Sequence, residues 1–139
     1  MWPGAIIQIY DFVKAALAGD GSFNVTVVGE KLSPGTHIGS SSLEKSHVIS
    51  ASPCALRSAK ALNSSGSDMW LHVFDAASLP SNGTVPSRTP IPVSAGSVNG
   101  DTWAGGTLLA TGCVLALSST LSTLTLISTS DGWFDAEVG

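Results

Sequence analysis

Charged side chains are scarce in this sequence of 139 residues, since Asp, Glu, Lys and Arg together make up 12%. The six cations are spread along the chain without a cluster: Lys14, Lys31, Lys45, Arg57, Lys60 and Arg88. A surface that follows nucleic-acid phosphates needs clustered Lys and Arg, and so does a polybasic patch for anionic lipids. With a formal net charge of −4, the sequence predicts neither nucleic acid nor membrane as a partner.

Sequence motifs of catalysis and metal binding are also lacking. The chain has no H-E-x-x-H, C-x-x-C or G-x-S-x-G motif, no phosphate loop and no dinucleotide fingerprint. His37, His47 and His72 are widely separated and lack the ligand spacing of a zinc site. We therefore expect a protein that is not an enzyme and uses no metal or cofactor. Asp75, directly after a predicted strand, is expected to cap a turn by accepting hydrogen bonds from backbone amides.

Cysteine is nearly absent. The two residues, Cys54 and Cys113, could pair if their strands were neighbours. The N-terminal residues have no basic start, and Asp11 and Lys14 interrupt the apolar run, so we expect neither a signal peptide nor a membrane span. Two buried thiols are therefore favoured over a disulfide.

The polarity of the chain comes from hydroxyl groups and backbone, with 22 Ser, 11 Thr and 15 Gly. This composition favours strands and turns over helices. From residue 47 onward, short apolar runs alternate with turn sequences rich in Asn, Gly, Asp and Ser. The predicted strands are His47–Ser50, Cys54–Leu62, Met69–Phe74, Pro90–Val93, Thr107–Leu117, Thr123–Ser128 and Trp133–Val138. The pattern predicts a mainly β fold, an antiparallel β-sandwich or jelly-roll-like domain over residues 47–139.

Three of the predicted strands indicate how they are buried. Met69–Phe74 and residues 108–117 are apolar at nearly every position, so both are expected to be covered by the second sheet on one face and by a neighbour on the other. Residues 133–138 alternate, which turns Phe134 and its alternate neighbours inward. Pro90 and Pro92 require an edge strand, because proline cannot donate to the ladder.

Residues 1–46 form a different region, predicted to be an arm and a linker. Apolar residues recur at helical spacing over residues 5–18, which predicts one short helix, with a strand at Ile6–Tyr10 as the alternative. Residues 35–39 are expected to be an irregular surface connection. The arm is expected to dock on a partner through Ile6, Ile9, Tyr10 and Val13.

Four tryptophans are many for so small a chain. Trp70 and Trp133 are expected on strand faces opposite the main core, and together with Phe74 they are candidates for a subunit interface or for core packing. Trp103 follows Gly100-Asp101-Thr102 and is the candidate stacking platform for a sugar.

Three segments resemble a family of small β-rich virion proteins of tailed bacteriophages. They are Met69–Val93, with its Asp-Ala-Ala-Ser-Leu-Pro phrase and Gly-Thr-Val-Pro loop, Thr111–Thr120, and Asp131–Val138. The resemblance covers roughly residues 47–138.

The resemblance implies a structural role in a virion. The most specific expectation is a head decoration or cement protein that binds the major capsid protein, or other virion proteins, and forms a homo-oligomer, with a trimer favoured. The alternative is a tail- or fibre-associated module that adheres to a host glycan or receptor.

Overall fold

The computed structural model describes residues 35–139, which form eight β-strands and contain no helix. The predicted helix and the docking residues Ile6, Ile9, Tyr10 and Val13 lie outside the described residues. In chain order the strands are β1 (Thr36–Gly39), β2 (Ser46–Ser50), β3 (Cys54–Asn63), β4 (Met69–Phe74), β5 (Ile91–Val93), β6 (Val98–Leu109), β7 (Cys113–Ser118) and β8 (Gly132–Val138).

The strands form two antiparallel four-stranded sheets. Sheet I has the order β1-β8-β3-β6, and sheet II has the order β2-β7-β4-β5. The pairings are nested: β1 pairs with β8, β2 with β7, β3 with β6 and β4 with β5, alternately in the two sheets. The prediction of a mainly β, antiparallel, two-sheet domain is therefore confirmed.

One hydrophobic core takes side chains from both sheets. Alternation on β8 turns Phe134, Ala136 and Val138 inward, as predicted, and all three are buried. On β4 the residues Leu71 and Val73 enter the same core. The inward residues of β3 include Ala59 and Ala61, and these small side chains leave room for the larger ones of the facing sheet.

The proline-rich strand lies where the sequence predicts it. Among the strands of residues 35–139, β5 is at the edge of sheet II and pairs only with β4, with Pro92 opposite Trp70. The side-chain amide of Asn99, on edge strand β6 of sheet I, donates to the carbonyl of Pro92 at 2.7 Å. Asn63 Nδ2 makes a similar bond to the Val93 carbonyl, at 3.0 Å. These two amides join the sheets at the edge where β5 and β6 lie.

Several local predictions were wrong. Residues 36–39 are not an irregular connection but strand β1, which pairs with β8, so the folded domain includes residues that the sequence assigned to the linker. The predicted strand Thr107–Leu117 is two strands separated by residues 110–112. The predicted strand Thr123–Ser128 is a loop with one isolated bridge, between Ser118 and Leu126.

Strand β6 also begins earlier than predicted, because glycines and asparagine in it were interpreted as turns. Between the paired positions Leu56↔Thr107 and Ser58↔Thr102, β6 contains four residues where β3 contains one. Gly105 and Gly106 lie in this bulge with φ of 77° and 84°, a conformation that favours glycine. The glycines therefore shape a bulge inside a strand rather than its end.

Candidate functional site

The central part of the outer face of sheet II is closed by the chain itself, whereas Val48 on edge strand β2 is 44% exposed. Phe74, Val114 and Ala116 point away from the main core and form a second buried cluster with Leu124. The cover consists of two covering loops, residues 76–87 and residues 119–127. They are tied together by two backbone hydrogen bonds of 2.8 Å, Gly83 N to Leu124 O and Leu124 N to Thr84 O. The neighbour that the apolar pattern predicted is thus part of the same chain.

The buried hydroxyl of Ser118 holds the second covering loop in place. Ser118 Oγ donates to the Thr120 carbonyl at 2.8 Å and accepts from the backbone N–H of Thr125 at 2.9 Å. The Thr120 N–H also points at this oxygen, at 3.2 Å. Ser118 is fully buried and serves as an anchor for the loop.

Asp75 caps the turn between β6 and β7, as the sequence predicts. Its carboxylate accepts hydrogen bonds from the backbone N–H groups of Ala110, Thr111 and Gly112, at 3.1, 2.8 and 3.3 Å. The bond from Thr111, followed by those from the other two amides and the charge of Arg88, lowers the pKa of Asp75 below its usual value. The carboxylate is thus structural, and it explains why the predicted long strand is broken at residues 110–112.

The two cysteines are free and buried, as predicted. Burial raises the pKa of Cys113 to about 12 and also raises the pKa of Cys54. Both side chains are therefore protonated at neutral pH, and neither supplies the thiolate that nucleophilic attack requires.

The histidines occupy three separate places. His37 on β1 contacts the carboxylate of Asp135 through its Nε2 atom, and Nδ1 of His47 on β2 lies 2.6 Å from Glu44 Oε1. His72 on β4 is fully buried beneath the covering loops. The sequence placed His47 at the start of a predicted strand, His72 within one and His37 in a connection, whereas all three lie in strands. Within residues 35–139, no three His, Cys, Asp or Glu side chains are grouped as they would be around a metal ion.

Burial of His72 beneath the second covering loop, residues 119–127, makes this packing sensitive to acid. Its Nε2–H donates to the Leu121 carbonyl at 3.0 Å, whereas Nδ1 is buried and has no hydrogen-bond partner among the described residues. The groups around the ring, the Phe74 ring at 5.8 Å and Ala116 opposite on β7, carry no charge. Burial therefore lowers the pKa of His72 below 6.5.

We expect acid to destabilise the domain through His72. The unfolded chain takes up this proton near pH 6.5 and the folded chain resists it. The contribution of His72 to stability is therefore constant above that pH and falls as the pH drops towards the folded-state pKa. Urea unfolding at pH values between about 7.5 and 5 measures the slope of the free energy of unfolding against pH. His72→Gln keeps a donor for the Leu121 carbonyl but does not titrate, so its slope should be smaller; an equal slope in both proteins would contradict the assignment.

The candidate tryptophans lie in three different environments. Trp133 on β8 is 40% exposed and stands on the outer face of sheet I. Trp70 is half-buried on the covered side of sheet II, whereas Phe74 is 1% exposed and belongs to the packing of the second cluster. Trp103 is not an exposed platform: it is half-buried and packs against the main core. Of these candidates, Trp133 is the most accessible.

The outer face of sheet I brings together residues that the sequence analysis did not connect. The register places three rows across β8, β3 and β6: Trp133, Leu62 and Val98; Asp135, Lys60 and Gly100; Glu137, Ser58 and Thr102. The first row is apolar, the second carries an ion pair of 3.7 Å between Lys60 Nζ and Asp135 Oδ2, and the third is polar. We call these nine residues the Trp133 face.

Two shallow depressions mark the Trp133 face. One, of about 170 Å³, is lined by Leu62, Val98, Trp133, Lys60 and Asp135 together with Ala61. The other, of about 410 Å³, adjoins it along Lys60 and Val98 and continues over Ser58 and residues 99–102. Together they form a surface with one apolar end and one polar end.

Comparison with protein-family models, with curated proteins and with solved structures found no match for this chain. In the part that the structure describes, no helix is long and apolar enough to cross a membrane.

Proposed function

We propose that the chain is a non-enzymatic structural protein of a tailed-bacteriophage virion, of the head-decoration or cement type, that binds the major capsid protein and stabilises the shell. The observation that carries the proposal is the strand order. Nested pairs distributed alternately over two four-stranded sheets support the interpretation of the domain as an eight-stranded jelly roll, an architecture used by viral capsid and lectin domains.

The sequence resemblance and the fold support the same proposal. The resembling segments coincide with β4 and β5, with β7, and with β8. These strands provide the central pair of sheet II and a central strand of sheet I. The phrase that follows β4 begins with Asp75, the residue that caps the turn at residues 110–112. The resemblance thus includes a residue with a structural role.

The proposed mechanism of docking is burial of apolar surface. Each Å² of apolar surface removed from water stabilises a complex by about 25 cal/mol, and copies repeated on a symmetric shell add their contacts. Since the covering loops already bury Phe74, Val114 and Ala116 on the outer face of sheet II, these side chains do not need a sister subunit. Attachment is assigned to the arm, through Ile6, Ile9, Tyr10 and Val13, and the trimer stays a proposal that sedimentation of the purified chain would test.

Deleting residues 1–20 is expected to leave a folded domain that no longer binds particles. All eight strands and both buried clusters lie within residues 35–139, so the deletion removes none of them. Particles assembled without this chain would be incubated with the full-length or shortened protein, sedimented and imaged. The matched variant Ile9→Asp keeps the full length and should also lose most of its binding.

Two controls make the outcome decisive. The thermal melt of the shortened protein, followed by circular dichroism, should show the same cooperative transition as the full chain. Full decoration of particles by the shortened protein would contradict docking by the arm. Failure of the full-length chain to bind any particle, together with unchanged virions in its absence, would contradict the virion function itself.

A second candidate function, adhesion of the virion to a host surface glycan, is favoured by one observation. Trp133 is half-exposed at the apolar end of a depression whose other end is polar. Aromatic rings with polar groups beside them are the usual components of small-ligand sites.

A further inference from the structure

The Trp133 face is the part of the described surface in which an exposed aromatic ring, an apolar row and a charged row meet. Leu62 lies between Trp133 and Val98 in the register, so the apolar row is one side chain deep and three strands wide. Lys60 and Asp135 form the next row. The apolar row and the charged row are therefore directly adjacent on the Trp133 face.

Gly100 creates the depression beside Lys60. A Cβ atom at this position would lie 2.4 Å from Lys60 Cβ and 2.3 Å from the Ala59 carbonyl oxygen, so the backbone of β6 approaches β3 too closely for any side chain. Because Gly100 has no side chain, the surface of β6 is lower there than at Val98 and Thr102. Ser58 and Thr102 line the larger depression on the side away from Val98. The strand pairing thus builds this shape into the sheet.

We propose that the Trp133 face binds a neutral oligosaccharide, with one sugar ring stacked on the indole of Trp133. A pyranose ring has an apolar C–H face and a rim of hydroxyls. The C–H face matches Trp133 and Leu62, and the rim reaches Lys60, a donor, and Asp135, an acceptor. The next sugar unit lies over the larger depression, where Ser58 and Thr102 supply hydroxyls.

A neutral sugar fits the charge and the size of this face. Lys60 Nζ lies 3.7 Å from Asp135 Oδ2, and Arg57 lies 4.0 Å from the other carboxylate of the face, that of Glu137. Each carboxylate of the face therefore has a cation beside it, which does not favour an ionic ligand. A protein partner in an interface of ordinary size would bury about 800 Å² on each side, whereas the apolar part here is a single row of three side chains. The larger depression, about 410 Å³, falls within the about 300–1,000 Å³ of small-molecule sites, and the smaller one, about 170 Å³, adjoins it.

Strand addition by a second copy is disfavoured at the adjoining edge. The backbone N–H groups of Gly100 and Thr102 on edge strand β6 donate to the side-chain oxygens of Asn99 and Asp101, at 2.9 and 2.8 Å. Amides already bonded in this way are poor templates for another strand. The bonded amides at the edge of β6 and the depressions on the Trp133 face therefore favour a small ligand on the face over an added strand at the edge.

This inference supplies the second candidate function with a site, and its test does not depend on particle docking. The labelled full-length chain would be applied to an array of neutral oligosaccharides built from hexoses and N-acetylhexosamines. Any structure retained would then be titrated by calorimetry. Trp133→Ala is expected to weaken binding by about tenfold or more, and Asp135→Asn by a smaller factor.

Trp70→Ala is the matched control, because it removes a partly buried tryptophan from the other sheet and should leave the affinity unchanged. Absence of any bound oligosaccharide, or equal binding by the Trp133→Ala protein, would overturn the assignment. Concentration-dependent self-association that Trp133→Ala abolishes, without glycan binding, would assign the face to a second copy instead. Particle docking by the arm, measured separately, is unaffected by any of these results.

Discussion

Replacing Phe74 with alanine is expected to lower the free energy of unfolding by about 3–5 kcal/mol, as much as the loss of a central core residue. Phe74 lies outside the space between the sheets, yet it is 1% exposed. Val114, Ala116 and Leu124 surround it, and its ring contacts that of His72 edge-on at 5.8 Å. Removing the ring leaves a cavity beneath the covering loops, which chemical denaturation of the purified chain would measure.

The matched variant is Trp133→Ala on the other sheet. Trp133 is 40% exposed, so its loss should change the free energy of unfolding by less than about 1 kcal/mol. The comparison separates two roles that the sequence left open for Phe74. Were Phe74 an interface side chain awaiting a sister subunit, its substitution would barely affect an isolated chain. A small effect at Phe74 would therefore contradict the closed cluster seen here.

The same cluster shows how far apolar patterning can predict structure. The run Cys113–Leu117 is buried at every position, as its sequence indicates. The apolar pattern of a strand indicates that a face is covered but does not indicate what covers it. A neighbouring subunit and a loop of the same chain give the same sequence pattern. Residues 123–128, most of which lie in the second covering loop, were predicted to be a strand because Thr and Leu alternate there. The hydrogen bonds of Ser118 hold this loop out of the sheet.

Local rules worked where one residue type has one dominant physical consequence. Alternation along β8 predicted its inward face, proline predicted an edge strand, and the position of Asp75 predicted a capped turn. Glycine was less informative. Gly100 was interpreted as part of a turn, but it is a strand residue whose side chain is excluded by the close approach of Lys60.

The Trp133 face could not be predicted from the sequence, apart from the outward direction of Trp133, Asp135 and Glu137. Its three strands come from residues 58–62, 98–102 and 133–137, and what places Lys60 beside Asp135 is long-range register. A bulge at Arg57 sets that register, because Leu56 pairs with Val138 while Ser58 pairs with Glu137. A shift by one residue would turn the face inward.

Substituting Gly112 with alanine is expected to cost about 1–3 kcal/mol or more of folding free energy. A Cβ atom here would lie 2.6 Å from two backbone oxygens, those of Ser50 and Ala76. Neither oxygen belongs to a flexible side chain, so the end of β2, the segment after β4 and the turn at residues 110–112 would have to separate. The three N–H bonds to Asp75, including the one from Gly112 itself, would be strained by the same movement.

Gly66→Ala is the matched control for this prediction. Gly66 lies in the turn between β3 and β4, and a Cβ atom there would have nothing within 4 Å. Its substitution restricts the unfolded chain without a clash and should be neutral or stabilising, by up to about 1 kcal/mol. When both are measured in the same buffer, Gly112→Ala should therefore melt at a lower temperature than the wild-type protein, and Gly66→Ala at the same or a higher temperature. If Gly112→Ala melted at the same temperature as the wild-type protein, the turn at residues 110–112 would have to be less tightly packed than the contacts of Gly112 indicate. Asp75 would then be capping a segment that can move.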